Sequence, residues 1–158
     1  MIRQLRVDER MIHGQITTNW ARVLDIDAII VANDATAENE IVKRALLLAA
    51  PPGKKVLIKK VEEVITLLDD PRAETVNSLL IVDNLQDAIT LVEKLPIKAI
   101  NVANFKKKKG EKNIHLTEYL IVTEDDYERL KHLCEIGEDV YSQMLPNTKK
   151  VTLRELLK

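Results

Sequence analysis

The sequence predicts an α/β protein, a three-layer α/β/α sandwich with a mostly parallel central sheet, and it allows an antiparallel strand at an edge. Two observations lead there. Short apolar runs alternate with helix-length amphipathic ones, the pattern of repeated βαβ units. In addition, 158 residues that are 46% hydrophobic, with only 4 Gly and 5 Pro, suffice for one core without disulfide or metal staples. The chain therefore reads as a single domain over 1–158.

The elements follow in order. A strand at 2–7 runs into the loop Asp8 to His13 and then a helix, in which Ile16, Trp20, Val23 and Leu24 fall at i, i+4, i+7 and i+8 and are expected to face the core. A strand at 28–32 precedes a helix over 36–49, closed by "PPG" at 51–53. After a strand at 55–59, Val61, Val64, Ile65 and Leu68 mark a helix between 60 and 70, with Pro71 beyond its end. After a strand at 78–82, Leu85, Ala88, Ile89, Val92 and Leu95 form the stripe of a helix over 84–95, which Pro96 stops. The fifth strand lies at 98–102. Beyond it come a polar loop, "ANFKKKKGEKN", a strand within "IHLTEYLIV", a helix over 124–136, an edge strand in "DVYSQML" and a short terminal helix at 152–158.

Composition narrows the function. A net charge of −1 and 3% aromatic residues argue against nucleic acid, which needs a basic surface or stacking platforms. Cys134 is the single cysteine, which excludes an internal disulfide and fits a reducing cytoplasm. Apolar runs such as "AIIVA" and "LLIV" are far shorter than the roughly 20 residues that span a bilayer, so membrane association is expected to go through a partner.

One stretch holds a concentration of chemistry, "RVDERMIHGQITTNW" at 6–20. In an open parallel sheet, ligands bind beyond the carboxyl ends of the strands. His13 stands there, at the start of a helix whose first N–H groups lack partners and whose dipole favours an anion. Arg10 can offer a bidentate guanidinium to phosphate oxygens. Gly14 admits close approach to the backbone, and Gln15 adds amide donors. Asp8, itself negative, is expected to orient Arg10 or to hold one ring nitrogen of His13. A neutral imidazole is a competent nucleophile near neutral pH. The group reads as a histidine that accepts a phosphoryl group and gives it up again.

Other residues have plainer readings. Asp34 ends the second strand and is expected to cap the helix that follows, with a place in the rim of the site as the less favoured role. Lys106 to Lys109 is read as a solvated loop, with docking of an acidic partner as its functional version. Trp20 is read as core. Cys134 shares an apolar helix stripe with Tyr127 and Leu130 and is read as packing. His115 and His132 lack companions at metal-ligand spacing, Ser142 lacks a nucleophile-elbow context, and no metal or organic cofactor is expected.

The stretch at 6–20 resembles the amino-terminal signature of the mannose/fructose/sorbose-class IIB components of the bacterial phosphoenolpyruvate-dependent sugar phosphotransferase system, approximately R-[IV]-D-x-R-[LI]-I-H-G-Q-[VI] with Trp shortly after. "VANDATAENE", "APPG" at 50–53 and "INVANFKKKKGEKN" extend the resemblance over the chain. It implies a cytoplasmic phosphocarrier, a protein-histidine:sugar phosphotransferase, held at the inner face of the membrane by its partners. In that family a IIA domain passes a phosphoryl group from its own histidine to the IIB histidine, which hands it to a sugar on the membrane IIC/IID complex. The resemblance makes His13 the acceptor, through Nδ1, with Arg10 as the positive group beside it. It places Lys108 at the family's basic, partner-facing position and implies a homo-oligomer. The sequence departs from it at Ala103-Asn104, where the family has Gly-Gly; either Asn104 donates a hydrogen bond there, as a phosphate-binding residue, or the loop is remodelled. It departs again at Asn19, where the family often has Arg, so that a positive charge facing the IIA partner is either lost or moved to Arg22 or the lysine run.

Two alternatives stay open. "IHGQ" superficially resembles the "RHG" of histidine phosphomonoesterases, although Ile12 stands where that motif has Arg. A non-catalytic regulatory module would keep the fold and use phosphorylation of His13 as a signal.

Overall fold

In a computed structural model, residues 1–106 and 112–157 are described. The elements are β1 (Ile2–Asp8), α1 (Gly14–Val23), β2 (Ala28–Ala32), α2 (Asp34–Ala37), α3 (Glu40–Ala49), β3 (Lys55–Lys59) and α4 (Val61–Asp69). A 3₁₀ turn at Pro71–Thr75 leads to β4 (Ser78–Val82), α5 (Leu85–Lys94), β5 (Ala99–Lys106), β6 (Ile114–His115) and β7 (Leu120–Val122). α6 (Glu124–Ile136), β8 (Asp139–Ser142), β9 (Val151–Thr152) and α7 (Leu153–Leu156) complete the chain.

The first five strands form a parallel sheet in the order β3-β2-β4-β1-β5. β5 then splits: its start pairs with β8 and its end with β7, both in parallel. The antiparallel pairs are β6 on β7 and β9 on β8. Crossovers in parallel sheets are right-handed. Chain that moves along the sheet in one direction therefore puts its helices on one face, and a reversal of direction changes the face. α1 and α3 cover one face, packing Trp20, Ala21, Val42 and Leu46 onto Ile29, Val31, Leu79 and Ile81. α4 to α7 cover the other over Leu5, Val7, Leu80 and Val102.

Caps explain where the sequence reading erred. The single helix expected over 36–49 is broken, because the Asn39 side chain accepts hydrogen bonds from the N–H groups of Ile41 and Val42 and starts α3 anew. Asn33, not Asp34, caps α2 by accepting from Thr36. Asp34 instead reaches across to accept from the N–H of Val61 at the start of α4, 2.9 Å away. The strand expected at an edge in "DVYSQML" lies inside the sheet, paired in parallel with β5, and β9 (Val151–Thr152) pairs antiparallel beyond it, just before α7, the helix expected over 152–158. "IHLTEYLIV" holds two strands, β6 and β7. In α1 the buried residues are Thr17, Trp20 and Ala21, whereas Val23, expected inside, is 58% exposed.

Gly137 ends α6 by donating to Leu133 O at 2.8 Å. A Cβ there would lie 2.7 Å from Val140 Cγ2 and 2.8 Å from both Ile100 Cδ1 and Leu133 O. Its φ of −88° suits any residue, so the need for glycine is one of space. Gly137→Ala is expected to cost about 2 kcal/mol by overpacking, read as a lower urea midpoint with unchanged slope.

Candidate functional site

β1 lies between β4 and β5. Its chain leaves for α1 on one face of the sheet, whereas the chains leaving both neighbours supply the helices of the other. The carboxyl end of β1 is thus the point where the topology divides, and the crevice opens there. The loop Asp8 to His13 fills it.

The loop is anchored from below. Along β1, Leu5 and Val7 enter the core beneath α5, so alternation turns Gln4, Arg6 and Asp8 to the opposite face. There they are wholly buried. The Arg6 guanidinium donates to Asp8 Oδ2 from Nε at 3.2 Å and from Nη2 at 3.1 Å. Burial lowers the pKa of Arg6 from its ordinary value, and the charge of Asp8 works against that shift. Asp8 Oδ1 accepts from the N–H of Arg10 at 2.9 Å and from Asn104 Nδ2 at 3.4 Å. Asp8 therefore orients Arg10 through the backbone and makes no hydrogen bond to His13.

These bonds bend the loop tightly. The Met11 N–H donates to Asp8 O at 2.9 Å, and Met11 sits at φ 60° with its side chain buried. A left-handed methionine costs about 1–3 kcal/mol, supplied by its surroundings. The Glu9 N–H donates to Asn104 O, and the Lys106 N–H to Glu9 Oε2, which tie the loop to β5. Gly14 follows at φ 41°, and a Cβ there would meet nothing within 4 Å. Its glycine is needed for conformation, not for room.

His13 is the N-cap of α1 by position. Its carbonyl accepts from Ile16 and Thr17, and its N–H donates to Thr17 Oγ1 at 2.8 Å. The N–H groups of Gly14 and Gln15 donate to no acceptor among the described residues and remain for an anion. Arg10 Nη1 lies 2.9 Å from His13 Nε2. A guanidinium can only donate, so Nε2 accepts, and a neutral ring then carries its proton on Nδ1. Nδ1 is buried and meets no partner among the described residues.

Of the residues the sequence singles out, Arg10 meets His13, Asp8 meets the backbone of Arg10, Gly14 follows His13 in the chain, and Gln15 is exposed nearby. Asn104 turns an amide N–H toward Asp8. Asp34 belongs to the start of α4, and Lys108 lies outside the described residues. Arg6 was missed as a site-forming residue, although Arg and Asp at i and i+2 of a buried strand signal a paired charge. Asn19 accepts from Arg22 at 3.0 Å, so these two pair with each other. Trp20 is buried and donates from Nε1 to Met144 O at 2.9 Å. Burial raises the pKa of the Cys134 thiol. His115 and His132 are exposed, and no acidic, histidine or cysteine cluster suited to a metal occurs among the described residues.

Residues 2–158 match the family described as the phosphotransferase system sorbose subfamily IIB component. The chain is 38% identical over 162 residues to a probable phosphotransferase enzyme IIB component of Streptococcus pyogenes serotype M6, covering 99% of each. It is 32% identical to the fructose-specific EIIB component of Bacillus subtilis, covering 97% of this chain and 93% of that one. The crystal structure of the IIBSor domain of the sorbose permease from Klebsiella pneumoniae superposes with a TM-score of 0.91 at 25% identity, covering 99% of this chain and 96% of that one.

The Arg6–Asp8 pair is open to a double-mutant cycle. Asp8→Asn alone strands a buried guanidinium and is expected to cost about 3–5 kcal/mol, whereas Arg6→Met with Asp8→Asn together recovers much of the loss. Urea unfolding of the four proteins measures both; equal losses in the single and double variants would deny the pair its role.

Proposed function

The chain belongs to the sorbose-subfamily IIB components of the phosphotransferase system, and from that premise we propose that it is a phosphocarrier in which His13 receives a phosphoryl group from a IIA partner and passes it to a sugar on a membrane IIC/IID complex. The carrying observation is the contact of Arg10 Nη1 with His13 Nε2 beside the open N–H groups of Gly14 and Gln15.

The chemistry follows from those groups. A lone pair of the imidazole attacks phosphorus on the donor histidine, the new N–P bond forms as the donor's breaks, and the donor ring keeps the electron pair. Phosphorylation brings about two negative charges to His13. Arg10 and the head of α1 are placed to offset them. A sugar hydroxyl then attacks the same phosphorus, releases its proton, and leaves His13 neutral. Transfer through Nδ1, the nitrogen the resemblance implies, requires the ring to leave Arg10 and turn, and its proton to pass through water from Nδ1 to Nε2, because at rest Nδ1 is buried and protonated and Nε2 accepts from Arg10. Asp8 keeps the loop in register for both steps and touches neither reacting group. No organic cofactor or metal enters this scheme. The IIC/IID partner would hold the carrier at the inner face of the membrane.

The test is intact mass after incubation with phosphoenolpyruvate, the general phosphotransfer proteins and a IIA domain. One acid-labile phosphate is expected on the natural chain and none on His13→Ala, while Arg10→Gln is expected to slow labelling at least about tenfold. An unlabelled natural chain beside a labelled control IIB component would overturn the proposal. Free phosphate released from a test ester would favour a phosphomonoesterase instead, and a stable phosphoprotein inert toward sugar would favour a regulatory module.

A further inference from the structure

The two helical layers of the sandwich differ sharply in charge and in what they expose. α1 and α3 carry Arg22, Lys43 and Arg44 against Glu40 alone, a balance of +2. On the other face, α4 to α7 carry eleven acidic side chains against four Lys and Arg, a balance of −7. The positive layer also bares apolar side chains. Leu48 is 89% exposed, Ile41 82%, Val23 58% and Leu47 49%. Besides Met1, no other large apolar side chain among the described residues exceeds 40% exposure. Ile41, Ala45 and Leu48 fall at i, i+4 and i+7, so they form one stripe along α3, with Arg44 beside it and Val42 and Leu46 directed into the core.

We infer that the α1/α3 layer rests on an anionic lipid surface, with Leu48 and Ile41 dipping into the headgroup region and Arg44 against the lipid phosphates, while Lys43, on the far side of α3, pairs with Glu40 at 3.7 Å. An exposed apolar stripe with a basic residue beside it, on a layer of positive balance, resembles the helices that lie in a membrane interface. Opposite charge on the two layers would turn the same face toward a negative surface before contact. The same balance opposes a second copy on this stripe, since pairing would bring together two layers of like charge. This contact is additional to any docking on a permease and needs no helix long enough to cross a membrane, of which the described residues contain none. His13 precedes α1 at the rim of this layer and takes no part in the stripe.

Flotation of the purified full chain with vesicles tests the inference. Vesicles of phosphatidylcholine with phosphatidylglycerol should carry the protein upward at low salt, phosphatidylcholine alone should not, and added salt should release it. Arg44→Glu is expected to lower the partition roughly thirtyfold, since it removes one positive charge and adds a negative one at the surface. Ile41→Ser with Leu48→Ser should lower it about tenfold or more, with circular dichroism and urea midpoint unchanged because both positions are exposed. Lys131→Glu, on the acidic layer, should change nothing. Failure to float with anionic vesicles, or equal flotation with neutral ones, would overturn the inference. So would a dimer in sedimentation equilibrium that Ile41→Ser with Leu48→Ser dissolves, which would assign the stripe to a second copy. These readouts use unphosphorylated protein, so their failure leaves the role of His13 untouched.

Discussion

A guanidinium buried under the crevice of a parallel sheet must be neutralised, and Arg6 is neutralised by Asp8 two residues further along the same strand face. That pairing uses one oxygen of the carboxylate and leaves the other for the loop, where it holds the N–H of Arg10 and the amide of Asn104. The turn at Met11, the position of Arg10 and hence the approach of Arg10 to His13 all descend from it. A neighbouring layer of polar side chains continues the network: Gln4 donates to the Tyr141 hydroxyl at 2.8 Å, and Asn101 exchanges hydrogen bonds with the Gln143 backbone. Burial raises the pKa of Tyr141, which keeps that hydroxyl neutral. The face of β1 and β5 on this side is thus polar, and a loop rather than a helix covers it, with Met144 placed against Arg6 and Trp20.

The cost of this arrangement falls on the protein at rest. Among the described residues, Arg6 Nη1, Gln4 Oε1 and His13 Nδ1 are buried without partners, and each such group costs about 1–3 kcal/mol. For His13 the cost has a chemical meaning. Contact with Arg10 holds the lone pair at Nε2 and strands the proton at Nδ1, so the resting ring is discontented at one nitrogen and occupied at the other. In the proposed transfer, an incoming phosphoryl group would give Arg10 a stronger acceptor than the ring, and would so free the ring to turn and exchange its proton.

Much of this was legible in the sequence because its signals are periodic or local. The five parallel strands and the helices at 61–69, 85–94 and 124–136 follow from apolar spacing, and "RVDERMIH" placed the histidine at the end of β1. The errors share one cause, long-range or polar competition that spacing does not encode. Asn39 divides a continuous helical pattern because its side chain captures two N–H groups. Asp34 looks like the cap of its own helix but serves α4, 27 residues away. Val23 fits the apolar stripe of α1, yet the core beneath that helix is claimed by Thr17, Trp20 and Ala21. Arg6 reads as one more charge until the alternation of β1 shows which face it must occupy.

Handedness links the crevice to the layers. Because crossovers in a parallel sheet turn one way, the chain leaving β1 and the chains leaving β4 and β5 must place their helices on opposite faces. The gap this opens at β1 receives the Asp8 to His13 loop. The same division assigns α1 and α3 to one surface and α4 to α7 to the other, and so allows the two surfaces to differ in charge without placing opposite charges side by side. His13 stands at the head of the helix that borders both the crevice and the positive layer. Its site can therefore face a partner at the sheet's carboxyl edge while the layer beside it meets a surface of another kind.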